Sequence, residues 1–166
     1  MAKKKKDRFP KTMPIRALEE RGVPYEVHVH AHKQYTAEGV AEDLGIPVSQ
    51  VVKAMILRTS DRRLVLAVVP GDRRLSMKKM AAVLGDKDVD LAKERDVERV
   101  TGFRVGSVSV LGFRRDDVAT YIDQAVLDLD QVVISSGRPD AGLALSSAAL
   151  IEALEGAELG DYSEDG

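Results

Sequence analysis

A short apolar run, Val51-Val52-Lys53-Ala54-Met55-Ile56-Leu57, constrains this chain more than any other stretch. It has strand length and is rich in β-branched residues. Side chains of an extended chain alternate between faces. Val51, Lys53, Met55 and Leu57 therefore share one face, and Val52, Ala54 and Ile56 the other. Both faces are apolar, so the strand is expected to be covered on both sides. A second run, Leu64 to Val69, stops at Pro70-Gly71. The polar link from Arg58 to Arg63 is short enough to make the two runs an antiparallel hairpin. Lys53 breaks the pattern, because a buried ammonium is costly unless it is paired or reaches a wet cavity. Two readings fit. Either Lys53 stands at the mouth of a pocket and grips an anionic or carbonyl-bearing ligand, or its stem packs while its head reaches solvent. The strand by itself favours the second.

The rest of the chain bounds the partners of this hairpin. With 166 residues, 44% hydrophobic and 31% charged, it reads as one globular domain with a real core. The net charge of −2 does not mark a strongly basic nucleic-acid binder. There is no cysteine, which excludes disulfides, thiolate metal sites and a cysteine nucleophile and agrees with a cytoplasmic location. No run approaches the ~20 apolar residues that span a bilayer. Aromatic residues are 4% of the chain, too few for a stacking platform on single-stranded nucleic acid.

Residues 1–11 carry Lys3 to Lys6 and read as a solvated basic tail with, at most, weak attraction to RNA. Pro14 and Gly22 bracket a helix from Met13 to Arg21. Tyr25 to His30 alternates as a strand, with Val27 and Val29 inward and His28, His30 and His32 on the other side. Alternate strand positions lie ~6–7 Å apart and rarely converge on one ion, so no metal is expected. Thr36 and Gly45 bracket a second helix, and Ser76 and Gly85 a third whose Met77 and Met80 are core residues. Val89 to Leu91, Ala119 to Asp123 and Gln131 to Ile134 read as strands, Ala92 to Val100 as a charged helix, and Ser146-Ser147 as the cap of a last helix ended by Gly156. Asp123 either orients a ligand amine or caps a turn. Residues 156–166 read as a mobile acidic tail. Strands and helices do not alternate strictly, which points to an α+β (mixed α/β) single domain around a curved mixed sheet.

Between Thr101 and Gly112 the chain concentrates Gly102, Gly106, Ser107, Ser109 and Gly112. Glycines allow close backbone approach to a ligand, and exposed N–H groups cradle a phosphate or a developing oxyanion. The stretch is neither a Walker loop nor a dinucleotide fingerprint. Its spacing alone favours a hairpin with tight turns.

In order, Leu44-Gly45, Val51-Val52-Lys53, Val69-Pro70, Leu84-Gly85, the Thr101–Gly112 stretch, Ile122-Asp123 and Val133-Ile134-Ser135-Ser136-Gly137 resemble the YbaK family. These bacterial editing proteins are related to the editing domain of prolyl-tRNA synthetase. The resemblance runs from about Thr12 to Leu154 and implies a YbaK-like editing domain over 12–155 with a barrel-like sheet surrounded by helices. It implies a trans-acting aminoacyl-tRNA deacylase of the Cys-tRNA(Pro) type that needs no cofactor. Its partners would be the 3′ end of a mischarged tRNA and prolyl-tRNA synthetase. The alternative is a non-catalytic module of the same fold that binds a nucleotide or tRNA acceptor end. Carried onto this chain, Lys53 and Gly106 are the catalytic pair. His30, Ser107, Ser109, Gly112, Ser135 and Gly137 bind substrate. Some relatives use the substrate's own side chain as nucleophile. The family's Gly-Gly-x-Ser-Pro becomes Gly106-Ser107-Val108-Ser109-Val110, Ala54 replaces a common hydroxyl residue, His30 stands near a frequent tyrosine, and Ala144 falls near an expected acid. The 138–142 segment is longer than usual.

Overall fold

The structure is a computed structural model describing residues 9–115 and 117–166. In chain order its elements are α1 (Met13–Glu20), β1 (Glu26–Val29), α2 (Ala37–Leu44), β2 (Val52–Arg58), β3 (Leu64–Pro70), β4 (Arg73–Leu75), α3 (Met77–Leu84) and β5 (Asp90–Leu91). There follow α4 (Glu94–Thr101), β6 (Ala119–Asp123), β7 (Gln131–Ser135), β8 (Ala141–Ser146), α5 (Ser147–Ala153), β9 (Glu158–Gly160) and β10 (Ser163–Asp165).

The helices form where local chemistry satisfies their ends. Thr36 Oγ1 accepts from Gly39 N at 3.0 Å, Ser76 Oγ from Lys79 N at 3.2 Å and Ser146 Oγ from Ala149 N at 3.2 Å. Such caps satisfy donors that the first helical turn leaves free. Gly45 and Gly85 stop α2 and α3 in the left-handed region. The last helix stops at Ala153, short of the expected Gly156.

β2 and β3 pair as the expected antiparallel hairpin, Val52 opposite Pro70 and Arg58 opposite Leu64. β3 sits at the centre of a five-stranded mixed sheet, β5-β2-β3-β6-β9, whose β3–β6 and β6–β9 pairs are parallel. Being central, β3 is buried on both faces. Leu66 and Val68 join the main core with Ile56, Ile122, Leu143 and Leu150. Val65, Ala67 and Val69 join a second core with Leu57, Leu75, Met80 and Tyr162. Each of the Val, Leu, Ile and Met side chains among these contributes about 1.5–3 kcal/mol on burial.

β1-β8-β7 forms a separate antiparallel sheet, and β10-β4 a two-stranded one. The expected single barrel-like sheet is thus corrected: the strands fall into three open sheets. Outside the named strands, one parallel bridge, Val51 to Val133, links the start of β2 to β7. A single bridge leaves the edge of β2 unpaired rather than sealing a barrel.

Four local expectations also change, and one open alternative, at Asp123, is decided. The lysines of the basic tail lie outside the described residues. Phe9, however, is buried in the main core with the Arg138 guanidinium 5.4 Å from its ring centroid, and Lys11 pairs with Glu19 at 2.7 Å. The acidic stretch after Gly156 is not a free tail. β9 extends the central sheet, β10 pairs with β4, and Lys79 bonds Asp161 at 2.8 Å. Val29 is exposed, because β1 ends there at the sheet margin. The Thr101–Gly112 stretch is not a hairpin; no strand lies between α4 and β6 among the described residues. Asp123 caps rather than reaching a ligand: Oδ2 accepts from Ala125 N at 3.2 Å and Oδ1 from Tyr162 N at 2.8 Å. Among the described residues no helix is long and apolar enough to cross a membrane.

Candidate active site

β5 pairs only with Leu57 and Arg58 of β2, so the first half of β2 keeps an open edge. A cavity of about 330 Å³ lies there. Val51, Val52, Val108, Val133 and Ile134 give it apolar walls, and the start of α2 and the loop before it form its rim. Lys53, Gly106, His30 and Ser135 all line it. The structure therefore brings together residues that are far apart in sequence around one small hollow.

Lys53 is half-buried, and its Nζ donates a hydrogen bond to the carbonyl of Arg73 on β4. By strand alternation it shares a face with Met55 and Leu57, which pack toward the second core. An ammonium carries three donors. The Arg73 carbonyl takes one and fixes the side chain at the cavity wall, which leaves donors for a ligand.

The opposite wall is a loop stitched to the end of β7. Ser109, fully buried, donates from Oγ to the Ser135 carbonyl at 2.6 Å. Ser135 returns the bond, its Oγ donating to the Ser107 carbonyl at 2.9 Å and accepting from Gly137 N at 3.0 Å. Ser107, Ser109 and Gly137 are not cavity-lining residues; they hold the wall in place. Gly137 lies against Phe103, where a Cβ would come within 2.9 Å of the ring. Gly106 has φ +91°, and a Cβ there would press on Tyr35 at 3.3 Å. Only glycine adopts that backbone cheaply. Gly112 is elsewhere: a Cβ on it would meet the backbone of Met13 and Pro14 at 2.6 Å, so its part is close packing against α1.

The His30 side chain is nearly fully buried, and its Nδ1 lies 3.4 Å from Asp43 Oδ2 with no hydrogen-bond partner. Asp43 Oδ2 instead accepts from Ala31 N at 2.9 Å. Burial pushes the imidazole pKa below its ordinary value, and the nearby Asp43 carboxylate only partly offsets this. The ring is therefore neutral at physiological pH. His28 lies 3.6 Å from Glu26, and His32 is exposed. Among the described residues no group of three candidate ligands is placed to hold a metal ion.

Sequence reasoning missed Gly142, Tyr35 and Arg138, which also line the cavity. Gly142 carries a readable signal, a glycine inside a strand where another group approaches closely. A Cβ there would meet Val133 Cγ1 at 2.7 Å and His30 Cε1 at 3.6 Å. Arg138 is held by Asp140 through bonds of 2.8 and 3.0 Å.

Residues 31–153 match the model of the aminoacyl-tRNA editing domain. This chain belongs to that family. A protein of Enterococcus faecalis provisionally named a Cys-tRNA(Pro)/Cys-tRNA(Cys) deacylase, EbsC, is 30% identical to it over 94% of both chains. A proline–tRNA ligase of Desulforamulus reducens is 38% identical over 65% of this chain, and that match spans 18% of the ligase. A crystal structure provisionally described as a trans-editing enzyme for prolyl tRNA synthetase superposes with a TM-score of 0.82 at 28% identity, covering 92% of this chain and 95% of that one. The Enterococcus protein and that crystal structure are therefore matched over nearly their full lengths, whereas the ligase is matched over a small part of its own.

Proposed function

We propose that this chain is a trans-acting aminoacyl-tRNA deacylase that hydrolyses the ester of Cys-tRNA(Pro). The observation that carries this reading is the small cavity on whose walls Lys53, Gly106, His30 and Ser135 meet. Its volume is at the low end for ligand sites, which suits a small aminoacyl group and part of its ribose. A second, editing site is needed because a synthetase pocket discriminates poorly between amino acids of similar size.

The attacking atom comes from outside the protein. The chain has no cysteine, and the Ser135 hydroxyl donates to the Ser107 carbonyl rather than to a base. Water or the substrate's own thiol adds to the ester carbon, the bond to the ribose oxygen breaks, and a proton returns to that oxygen. An ester is already activated, so positioning and stabilisation of the developing oxyanion suffice. Lys53 supplies positive charge beside the ester, and the Gly106 loop brings backbone donors near its carbonyl. Neutral His30 and the Ser135 end of β7 shape the aminoacyl subsite. No metal takes part. The partners are the 3′ end of mischarged tRNA and, at the level of the cell, prolyl-tRNA synthetase.

The test is a panel of mischarged tRNAs incubated with the protein, with and without a chelator. Release of cysteine from tRNA(Pro) that survives chelation is expected. Binding of the acceptor end with no turnover on any ester overturns the enzyme and leaves a binding module.

A further inference from the structure

A second depression, of about 600 Å³, opens at the other end of β2. Among the described residues it is lined by seven cations, Arg58, Arg62, Arg63, Lys93, Arg95, Arg99 and Arg115, against two carboxylates, Asp96 and Asp117. Both carboxylates are already engaged: Asp96 accepts from Arg99 at 3.1 Å, and Asp117 takes a bidentate pair from Arg115. Arg63 is bound to Asp61 at 2.9 Å. Among the described residues Arg58, Arg62, Lys93 and Arg95 have no acidic partner. The Nε of Arg58 is buried and has no hydrogen-bond partner among the described residues. A buried charged donor without an acceptor is costly, so its presence in this groove marks a place for an anion. On a chain of net charge −2 the concentration is local.

We propose that this groove binds the phosphodiester backbone of the duplex arm of the tRNA whose 3′ ester enters the cavity. The inference rests on the deacylase reading above. Three features choose this occupant. The cations come from four separate segments, namely the end of β2, the β2–β3 turn, α4 with the residue that precedes it, and the loop before β6, so they spread along a surface rather than converge on one phosphate. Among the described residues the lining holds no aromatic side chain, so unpaired bases have nothing to stack on, and the groove fits a duplex read through its backbone. Finally, Arg58 shares a strand face with Val52 and Ala54, which line the cavity. At ~3.3 Å per residue, Lys53 and Arg58 lie about 17 Å apart along β2, a span that the unpaired 3′ end of a tRNA bridges.

Arg62 and Arg95 are exposed, so the double variant Arg62→Glu, Arg95→Glu tests the groove with little risk to the fold. Binding of uncharged tRNA is titrated over a range of salt, and deacylation is measured on Cys-tRNA(Pro) and on 3′-cysteinyl-adenosine. The variant is expected to bind tRNA on the order of tenfold more weakly, with the slope of log affinity against log salt reduced by about one per lost contact. Its kcat/KM on the charged tRNA falls in step, while turnover of the short ester is unchanged. Unchanged tRNA affinity and salt slope overturn the proposal. So does an equal loss on both esters, and so does tRNA binding that inorganic phosphate or a free nucleotide abolishes at low concentration. If the wild-type protein hydrolyses neither ester yet shows the groove-dependent salt slope, the deacylase reading falls and the RNA-binding groove stands.

Discussion

The two ends of β2 present opposite kinds of surface on one strand. At Val52–Met55 the open edge gives onto a small, mostly apolar hollow with one ammonium on its wall. At Arg58 the same strand feeds a wide groove dominated by guanidinium groups. On the proposed function the first would discriminate by size and by the cost of burying unmatched polar groups. The second would attract a polyanion by charge, with a contribution that falls as salt rises. A protein that must accept a long, uniform polyanion and yet test one small acyl group at its tip needs both kinds of surface, and needs them apart.

Substitutions in the cavity should therefore alter turnover without altering the salt dependence of tRNA binding. The largest expected effect is at Lys53. Lys53→Ala should lower kcat/KM on Cys-tRNA(Pro) on the order of a hundredfold, with an unchanged circular dichroism spectrum. Full activity would remove the ammonium from the chemistry. Gly142→Ala places a methyl group against Val133 and His30. It should raise KM for the cysteinyl ester roughly tenfold and leave tRNA affinity where it was; a fall in tRNA affinity would blur the separation of the two surfaces. Ser109→Ala leaves the Ser135 carbonyl without its 2.6 Å partner. A loss of about 1–3 kcal/mol in denaturant unfolding is expected, with a several-fold drop in deacylation as the loop wall loosens.

The smallest effect is a pH dependence at His30. Its folded pKa lies below the ordinary 6.5 because burial disfavours the charged ring. The unfolded chain therefore binds the proton more readily than the folded one. The stability gained from the neutral ring is complete above about 6.5 and is lost as pH falls through the depressed folded value. His30→Asn should flatten that part of the stability–pH curve, as read by thermal unfolding. An unchanged curve would show that His30 is not the group responsible.

Much of the scaffold was legible because local chemistry dictates it. Thr36 and Ser76 accept helix donors, Gly45 and Gly85 take left-handed backbone, and two β-branched runs joined by a short polar link pair as a hairpin. Lys53 and the Gly106 loop were legible as candidates for one site. What was hidden depended on long-range partners. Nothing near Gly112 in sequence says that α1 will press against it. Nothing in the acidic stretch after Gly156 announces that β4 and β6 have free edges for β10 and β9. The reciprocal serine bonds that turn Ser107, Ser109 and Ser135 into one wall join residues 26 and 28 positions apart.

The sequence by itself determined the caps, the hairpin pairing of residues 52–70 and the supply of small residues for a close-walled site, since each follows from a single continuous stretch of chain. Only the tertiary structure decided that the Lys53 ammonium rests on the Arg73 carbonyl, that His30 alone of three histidines turns into a buried cavity, and that cations scattered between Arg58 and Arg115 face one groove. Burial and charge density belong to the folded surface, which forms only when segments distant in the chain pack together.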